Sequence, residues 1–299
     1  MSELRFDNQV VIVTGAGNGL GKAYALEYAA RGAKVVVNDL GGSGFGEGSD
    51  QRVADVVVEE IKAAGGEAIA NYDSVTDGEK IVETAIKTYG QVDVVINNAG
   101  ILRDKTFHKM SEEDWNLIYE VHVKGAFSVT HAAWPYMREK NYGRIIFTSS
   151  AAGIYGNFGQ VNYSMAKLGL LGMAQSLALE GHKKNVLVNT IAPIAGSRLT
   201  ETILPPNAVA ALKPEFVVPL VIKLTHSENQ ETSGLFEVGA GYISKLRWEK
   251  SEGRFFDISN GYSAEEVVEA WTEITNFDNS THPKNINDST ETFMKGLKL

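Results

Sequence analysis

The stretch "NYSMAKLGLL", Asn162 to Leu171, holds Tyr163 and Lys167 four residues apart, and Ser150 ends the segment "TSS" thirteen residues before the tyrosine. Residues at i and i+4 share one face of a helix, so Tyr163 and Lys167 can point into one pocket. A free phenol has a pKa near ~10 and is a poor base at neutral pH. An ammonium beside it favours the phenolate and lowers that pKa toward a useful range. Ser150 can donate to a carbonyl oxygen or hold an alcohol in place. The three side chains therefore suit alcohol oxidation, with Tyr163 taking the proton while a hydride passes to a nicotinamide. A Y-x-x-x-K pair also arises by chance in ordinary helices, so the elements around it have to decide.

Those elements alternate. "QVVIVTG", "AKVVVNDL", "EAIANYDS", "VDVVINNAG", "GRIIFTSS", "VLVNTIAP" and "GLFEVGAG" read as strands, and helical patterns separate most of them. Strands apolar on both faces and followed by helices imply a parallel sheet between helical layers. The expected fold is α/β: a Rossmann-type doubly wound parallel sheet of about seven strands flanked by helices, with a C-terminal helical extension. No composition break divides residues 1–245, which read as one dinucleotide-binding domain that includes the catalytic site. Residues 246–299 read as an extension of that same domain, one or two helices and then, after Asp278, a loosely held tail rich in Asn, Ser and Thr.

The first strand runs into "TGAGNGLG", with Gly15, Gly19 and Gly21 at the turn that opens the first helix. Glycines are needed where backbone turns sharply and approaches a pyrophosphate seated on a helix N-terminus. The second strand ends at Asp39, whose carboxylate can accept both ribose hydroxyls of adenosine and repels a 2′-phosphate. Its neighbours Asn38 and Leu40 are not basic, so NAD is expected rather than NADP. A plainer role, capping the turn before "GGSGFGEGS", is also open to Asp39. That Gly-rich loop is long and expected to be mobile.

The joint pattern T-G-x-x-x-G-x-G, N-N-A-G at Asn97 to Gly100, Ser150 and Y-x-x-x-K resembles the short-chain dehydrogenase/reductase family over residues 5 to about 245. The resemblance implies that Ser150, Tyr163 and Lys167 are catalytic and that Lys167 also binds the nicotinamide ribose. It implies cofactor contacts from Asn18, Leu20, Asp73, Ser74, Asn98, Ala99, Gly100, Pro193 and Ile194. The loop after Pro193, "PIAGSRLTETILPP", is expected to close over nicotinamide, with a plain surface loop as the alternative. His122, in "EVHVKGAF", stands where the family usually has an asparagine that completes a proton relay. Relay histidine and packed core histidine are both open to it.

Six further segments, "VVVNDLGG", "ANYDSV", "NNAGILRDKTF", "IYGNFGQVNYS", "IAPIAGSRLTE" and "GLFEVGAGYISKLRWE", resemble one subfamily, the (3R)-hydroxyacyl-CoA dehydrogenase units of peroxisomal multifunctional enzymes. That implies oxidation of (3R)-3-hydroxyacyl-CoA to 3-ketoacyl-CoA with NAD in fatty-acid β-oxidation, with the substrate oxygen between Ser150 and Tyr163. It also implies a homodimer, in a peroxisome if the source is eukaryotic and in cytoplasm if bacterial. A hydroxysteroid or other secondary-alcohol dehydrogenase would use the same three residues. An NAD-binding sensor or scaffold is the alternative outside catalysis, but it has no use for a serine and a phenol facing nicotinamide.

Composition narrows the classes further. The 299 residues include no cysteine, which excludes disulfides, thiolate catalysis and Cys-ligated zinc. The histidines lack ligand spacing, so no metal site is expected. Charges sum to 28 − 37 = −9 with no Lys/Arg run, which argues against sequence-independent nucleic-acid binding. No apolar stretch approaches the length of a membrane span, and the start has no signal-peptide pattern. The final "LKL" only faintly resembles a peroxisomal S-K-L signal.

Overall fold

The apolar runs become strands β1 (Val10–Thr14), β2 (Lys34–Asn38), β3 (Glu67–Asn71), β4 (Val94–Asn97), β5 (Gly143–Thr148), β6 (Val186–Pro193) and β7 (Leu235–Gly239) in a computed structural model that describes residues 3–195 and 211–297. An eighth, β8 (Tyr242–Leu246), completes the sheet in the order β3-β2-β1-β4-β5-β6-β7-β8. Strands β1 to β7 pair in parallel. Every residue of β1, β4 and β5 is buried, as a sheet covered on both faces requires. The sequence pattern missed β8 because its residues are exposed or half-buried and carry no apolar run. Ala240 and Gly241, at φ 50° and 79°, form the two-residue turn that reverses the chain into it.

Helices α1 (Gly19–Ala30), α2 (Arg52–Ala63) and α8 (Val218–Thr225) cover one face, and α3 (Gly78–Tyr89), α5 (Gly125–Lys140) and α7 (Val161–Gly181) cover the other. Tyr24, Tyr28, Val57 and Ile61 fill the first layer, and Ile81, Val129, Met137 and Leu170 the second. The helical stretch between β4 and β5 is not one continuous α-helix. Helix α4 (Glu112–Ile118) passes through a π-helical turn, Tyr119–Lys124, before α5 begins. A short helix α6 (Ala151–Tyr155) follows β5.

Chain contacts group residues 1–245 and residues 246–299 into two compact units. Within the second unit lie α9 (Ala264–Glu269), α10 (Trp271–Ile274) and α11 (Ile286–Gly296). Ser263 and Glu266 close α9 with a reciprocal capping box. The polar segment after Asp278 holds α11, capped where the Asn285 side chain accepts from the N–H groups of Asn287 and Asp288. Its Asn/Ser/Thr composition disguised a helix whose start is set by that cap. Among the described residues no helix is long and apolar enough to cross a membrane.

Sheet order reverses at β1, whose neighbours β2 and β4 carry the chain away to opposite sides. Open α/β sheets take ligands at the carboxyl ends of the strands beside such a point. Thr14, Asn38, Asn97 and Thr148 end β1, β2, β4 and β5 there.

Candidate active site

A cleft of about 1180 Å³ opens over those strand ends. It exceeds the ~300–1,000 Å³ of a single small-ligand pocket, so it has room for a dinucleotide and a second molecule.

At one end the turn after β1 lies against the segment after β4. Gly15 adopts φ 64°, and a Cβ there would stand 2.8 Å from the Ala99 Cα. A Cβ on Gly21 would stand 2.1 Å from the Gly15 carbonyl oxygen, so both glycines are steric necessities. Asn18 caps α1 in an extended conformation but its side chain makes no capping bond, and the first turn holds no acid. The positive helix end with its free N–H groups therefore remains available to an anion.

Asp39 performs the capping role that its sequence position allowed. Its Oδ2 accepts from the Gly17 N–H at 2.8 Å, and its Oδ1 accepts from the Gly41 N–H at 2.7 Å. The carboxylate thus ties the glycine turn to the end of β2 while facing the cleft. Asn38 donates to the Asn71 side chain at 2.8 Å and to the Asp73 carbonyl at 2.9 Å, which fixes the wall that Asp73 and Ser74 form. Thr14, absent from the sequence-based set, is the pin beneath. Its Oγ1 accepts from the N–H groups of Asn98 at 3.0 Å and Ala99 at 3.1 Å. The Asn98 amide in turn donates to the carbonyls of Thr14 at 3.0 Å and Gly15 at 3.2 Å.

At the other end Ser150 caps α6, its Oγ accepting from the Ala152 N–H at 3.1 Å, and hydrogen-bonds the Tyr163 phenol. Tyr163 stands in the first turn of α7, with the Lys167 Nζ 5.5 Å from its ring centroid. Lys167 donates from Nζ to the Thr148 carbonyl at 2.7 Å, and Ser149 Oγ donates to the Lys167 carbonyl at 2.7 Å. Fully buried Asn162 seats the start of α7: its amide donates to the carbonyls of Arg103 at 3.2 Å and Asp114 at 3.1 Å, and its Oδ1 accepts from the Tyr163 N–H. Asn162 was missed although it precedes the tyrosine, because its partners lie 48 and 59 residues away.

The electrostatics differ from the simple ammonium–phenolate pair. Burial pushes the Tyr163 phenol up to about 12, opposed by the Ser150 hydrogen bond and reinforced by the Asp104 carboxylate. Burial likewise brings the Lys167 ammonium down from 10.5 to about 7. Loss of water outweighs the attraction between the groups, so in the free protein the phenol keeps its proton at neutral pH. Any positive charge entering this end of the cleft favours the phenolate.

His122 sits on the π turn, buried, with its ring edge-on to Tyr163 at 5.3 Å between centroids. Its Nε2 lies 3.1 Å from the Ile101 nitrogen and 2.9 Å from the Ile101 oxygen. Burial, and then the Lys167 charge, hold the imidazole neutral well below its ordinary range. Gly100 makes room for it: a Cβ there would stand 2.6 Å from His122 Cε1.

The cleft brings together Gly15, Asn18, Gly19, Leu20, Asp39, Asp73, Ser74, Asn98, Ala99, Gly100, His122, Ser150, Tyr163, Lys167, Pro193 and Ile194. Gly21 does not line it and acts from beneath the turn. Tyr155, Asn157, Gln160, Glu237 and Tyr242, none of them singled out in the sequence, complete the wall beside Ser150 and Tyr163. Most of the expected lid after Pro193 falls on residues 196–210, outside the described residues.

A family model described as short chain dehydrogenase matches residues 9–202. The peroxisomal hydratase-dehydrogenase-epimerase of Neurospora crassa is 56% identical over 99% of this chain and 33% of its own length. The mouse peroxisomal multifunctional enzyme type 2 is 58% identical over 97% of this chain and 40% of its own. The solved structure of full-length peroxisomal multifunctional enzyme type 2 from Drosophila melanogaster superposes with a TM-score of 0.85 at 43% identity, over 99% of this chain and 50% of that one. The chain thus spans a third to a half of the length of these relatives, and the similarity runs through both of its compact units.

Proposed function

The chain belongs to the short chain dehydrogenase family, and from that premise we propose that it oxidises (3R)-3-hydroxyacyl-CoA to 3-ketoacyl-CoA with NAD. The observation that carries the reading is convergence: Ser150, Tyr163 and Lys167 meet at one end of a cleft whose other end is the glycine turn and Asp39. Relatives named for peroxisomal multifunctional and hydratase-dehydrogenase-epimerase activity, matched over nearly the whole chain, support the acyl-CoA substrate.

The residues present fit a nicotinamide dinucleotide. The backbone space at Gly15, the uncapped start of α1 and the Asp39 carboxylate would hold pyrophosphate and adenosine ribose. Asp73, Ser74, Ala99 and Gly100 would form its walls, with Pro193 and Ile194 beside the nicotinamide. Lys167 is the one Lys or Arg side chain lining the cleft among the described residues, which favours NAD over NADP because a 2′-phosphate needs a basic partner. When bound, the nucleotide supplies the hydride acceptor.

The chain's own groups handle the proton. The substrate hydroxyl lies between the Ser150 Oγ and the Tyr163 Oη, where Ser150 donates a hydrogen bond and Tyr163 accepts the proton as the carbon gives up its hydride. Lys167, anchored on the Thr148 carbonyl, sets the charge beside the phenol and would reach the nicotinamide ribose. His122 packs against the Tyr163 ring and holds Ile101, which favours positioning over proton relay. Homodimerisation through the long helices fits the exposed Phe127 on α5 and Met165, Leu168 and Leu179 on α7. In a eukaryote the compartment is the peroxisome, and in a bacterium the cytoplasm.

Tyr163→Phe tests the assignment. It removes the proton acceptor and keeps the ring, so turnover falls by at least ~10²–10⁴-fold, the range of general acid–base catalysis. NADH affinity, measured by fluorescence titration, stays within about twofold. Near-normal turnover would reject Tyr163 as the base.

A further inference from the structure

The Gly-rich loop after Asp39 is folded and fastened. Within it the Ser43 N–H donates to the Glu47 carbonyl at 2.8 Å, the Gly46 N–H to the Ser43 carbonyl at 3.0 Å, and the Asp50 N–H to the Leu40 carbonyl at 3.2 Å. The loop crosses to the segment that follows "NNAG", where the Leu102 N–H donates to the Gly44 carbonyl at 2.9 Å. Arg103 supplies the side-chain hold: its Nε donates to the Phe45 carbonyl at 2.8 Å, and its guanidinium lies 3.3 Å from Glu47. Gly46 rests against Ile101 and Leu117, since a Cβ there would stand 2.9 Å and 3.2 Å from their methyl groups. Ser43, Gly44 and Gly46 line the nucleotide cleft together with Asp39 and Leu102.

The other contacts of Arg103 lead to the chemistry. Its guanidinium stands 3.8 Å from Asp114 at the start of α4, and the side chain is only 22% exposed. Its backbone carbonyl accepts from Asn162, the residue that seats Tyr163, and the Asp114 carbonyl accepts from the same amide. One residue therefore serves two ends of the cleft, the side chain holding the loop and the backbone holding the catalytic helix.

We propose that Arg103 is a positioning residue for the cofactor, its guanidinium latching the Ser43–Glu47 loop across the nucleotide cleft. The proposal rests on the reading that this cleft takes a nicotinamide dinucleotide. Bound nucleotide then leaves only after the Arg103–Phe45 and Leu102–Gly44 bonds part, so the latch governs release. Because the backbone carbonyl survives any side-chain change, loss of the guanidinium acts on the nucleotide and spares proton transfer.

The test uses the whole chain with Arg103→Ala and Arg103→Lys. NADH release is followed by stopped-flow fluorescence, alongside steady-state kinetics with (3R)-3-hydroxyacyl-CoA. Arg103→Ala is expected to release NADH about tenfold faster and to raise KM for NAD to a similar extent. KM for the acyl-CoA stays within about twofold, and kcat is no lower than that of the parent. Arg103→Lys recovers part of the effect, since an ammonium can still pair with Glu47 or Asp114. A glutamate-specific protease gives a second readout: NADH slows cleavage after Glu47 in the parent but not in Arg103→Ala. NADH release within twofold of the parent would overturn the latch, as would a joint loss of kcat, both KM values and thermal stability. If the parent itself binds no NADH, the cofactor reading falls and takes the latch with it.

Discussion

Lys167 is buried at the catalytic end with an amine whose pKa is brought from 10.5 down to about 7, and replacing it should alter stability in a way that depends on pH. At ~1.4 kcal/mol per pH unit, that drop corresponds to about 5 kcal/mol of destabilisation of the charged form. Below pH 7 the lysine is charged in both the folded and the unfolded chain, so the whole penalty is present. Between 7 and 10.5 the unfolded chain holds the proton and the folded chain does not, so stability rises with pH by ~1.4 kcal/mol per unit. Above 10.5 the penalty is gone. Lys167→Met keeps an apolar stem of similar length and removes the charge. It also forfeits the bond from Nζ to the Thr148 carbonyl, a loss of ~1 kcal/mol at every pH. The variant is therefore inactive, more stable than the parent by ~4 kcal/mol below pH 7, and slightly less stable above 10.5. Urea unfolding at about pH 6.5 and about pH 9.5, at fixed protomer concentration, reads this directly. The stability difference should move by ~3 kcal/mol between the two, about 1 M or more in relative midpoint. A constant offset between Lys167→Met and the parent at both pH values would refute the burial-driven electrostatics of Lys167.

Asp39→Ala removes the carboxylate that faces the cleft and holds the Gly17 and Gly41 N–H groups, so the NAD-to-NADP ratio of kcat/KM should fall at least about tenfold; an unaltered ratio rejects the ribose contact. Two buried tyrosines on α1 should respond oppositely to loss of their hydroxyls. Among the described residues the buried Tyr24 hydroxyl has no hydrogen-bond partner, so Tyr24→Phe is expected to be neutral or to stabilise by ~1 kcal/mol. The Tyr28 hydroxyl hydrogen-bonds Thr225 at 2.6 Å, so Tyr28→Phe should cost ~1 kcal/mol in urea or thermal unfolding. Equal losses in the two variants would contradict that hydrogen-bond assignment.

Strand pattern and site spacing were legible because each depends on neighbours in sequence. The β-branched runs of β1, β2 and β4 announce buried strands, and i, i+4 spacing places Lys167 beneath Tyr163. Features set by distant contacts were not legible. The π turn at Tyr119–Lys124 has the same apolar periodicity as the α-helix it interrupts, yet it positions His122. Arg103 looks like an ordinary surface arginine until the loop from 43 to 47 folds onto it. Thr14 and Asn162 are common polar residues whose value lies in backbone groups 84 and 48 residues away. The charge balance at Tyr163 and Lys167 follows from burial, which depends on the whole fold rather than on the four residues between them. Chain-length preference for an acyl substrate has no local signature, since Tyr155, Glu237 and Tyr242 reach the cleft from separate elements.

Stereospecific oxidation of a 3-hydroxyacyl thioester is the reaction proposed for this chain. It is tested most directly by NADH formation from purified protein, NAD and matched (3R)- and (3S)-3-hydroxyacyl-CoA. Turnover of the R isomer alone is the predicted result. No turnover of either isomer would contradict the acyl-CoA assignment, and turnover of the S isomer would contradict the stereochemistry.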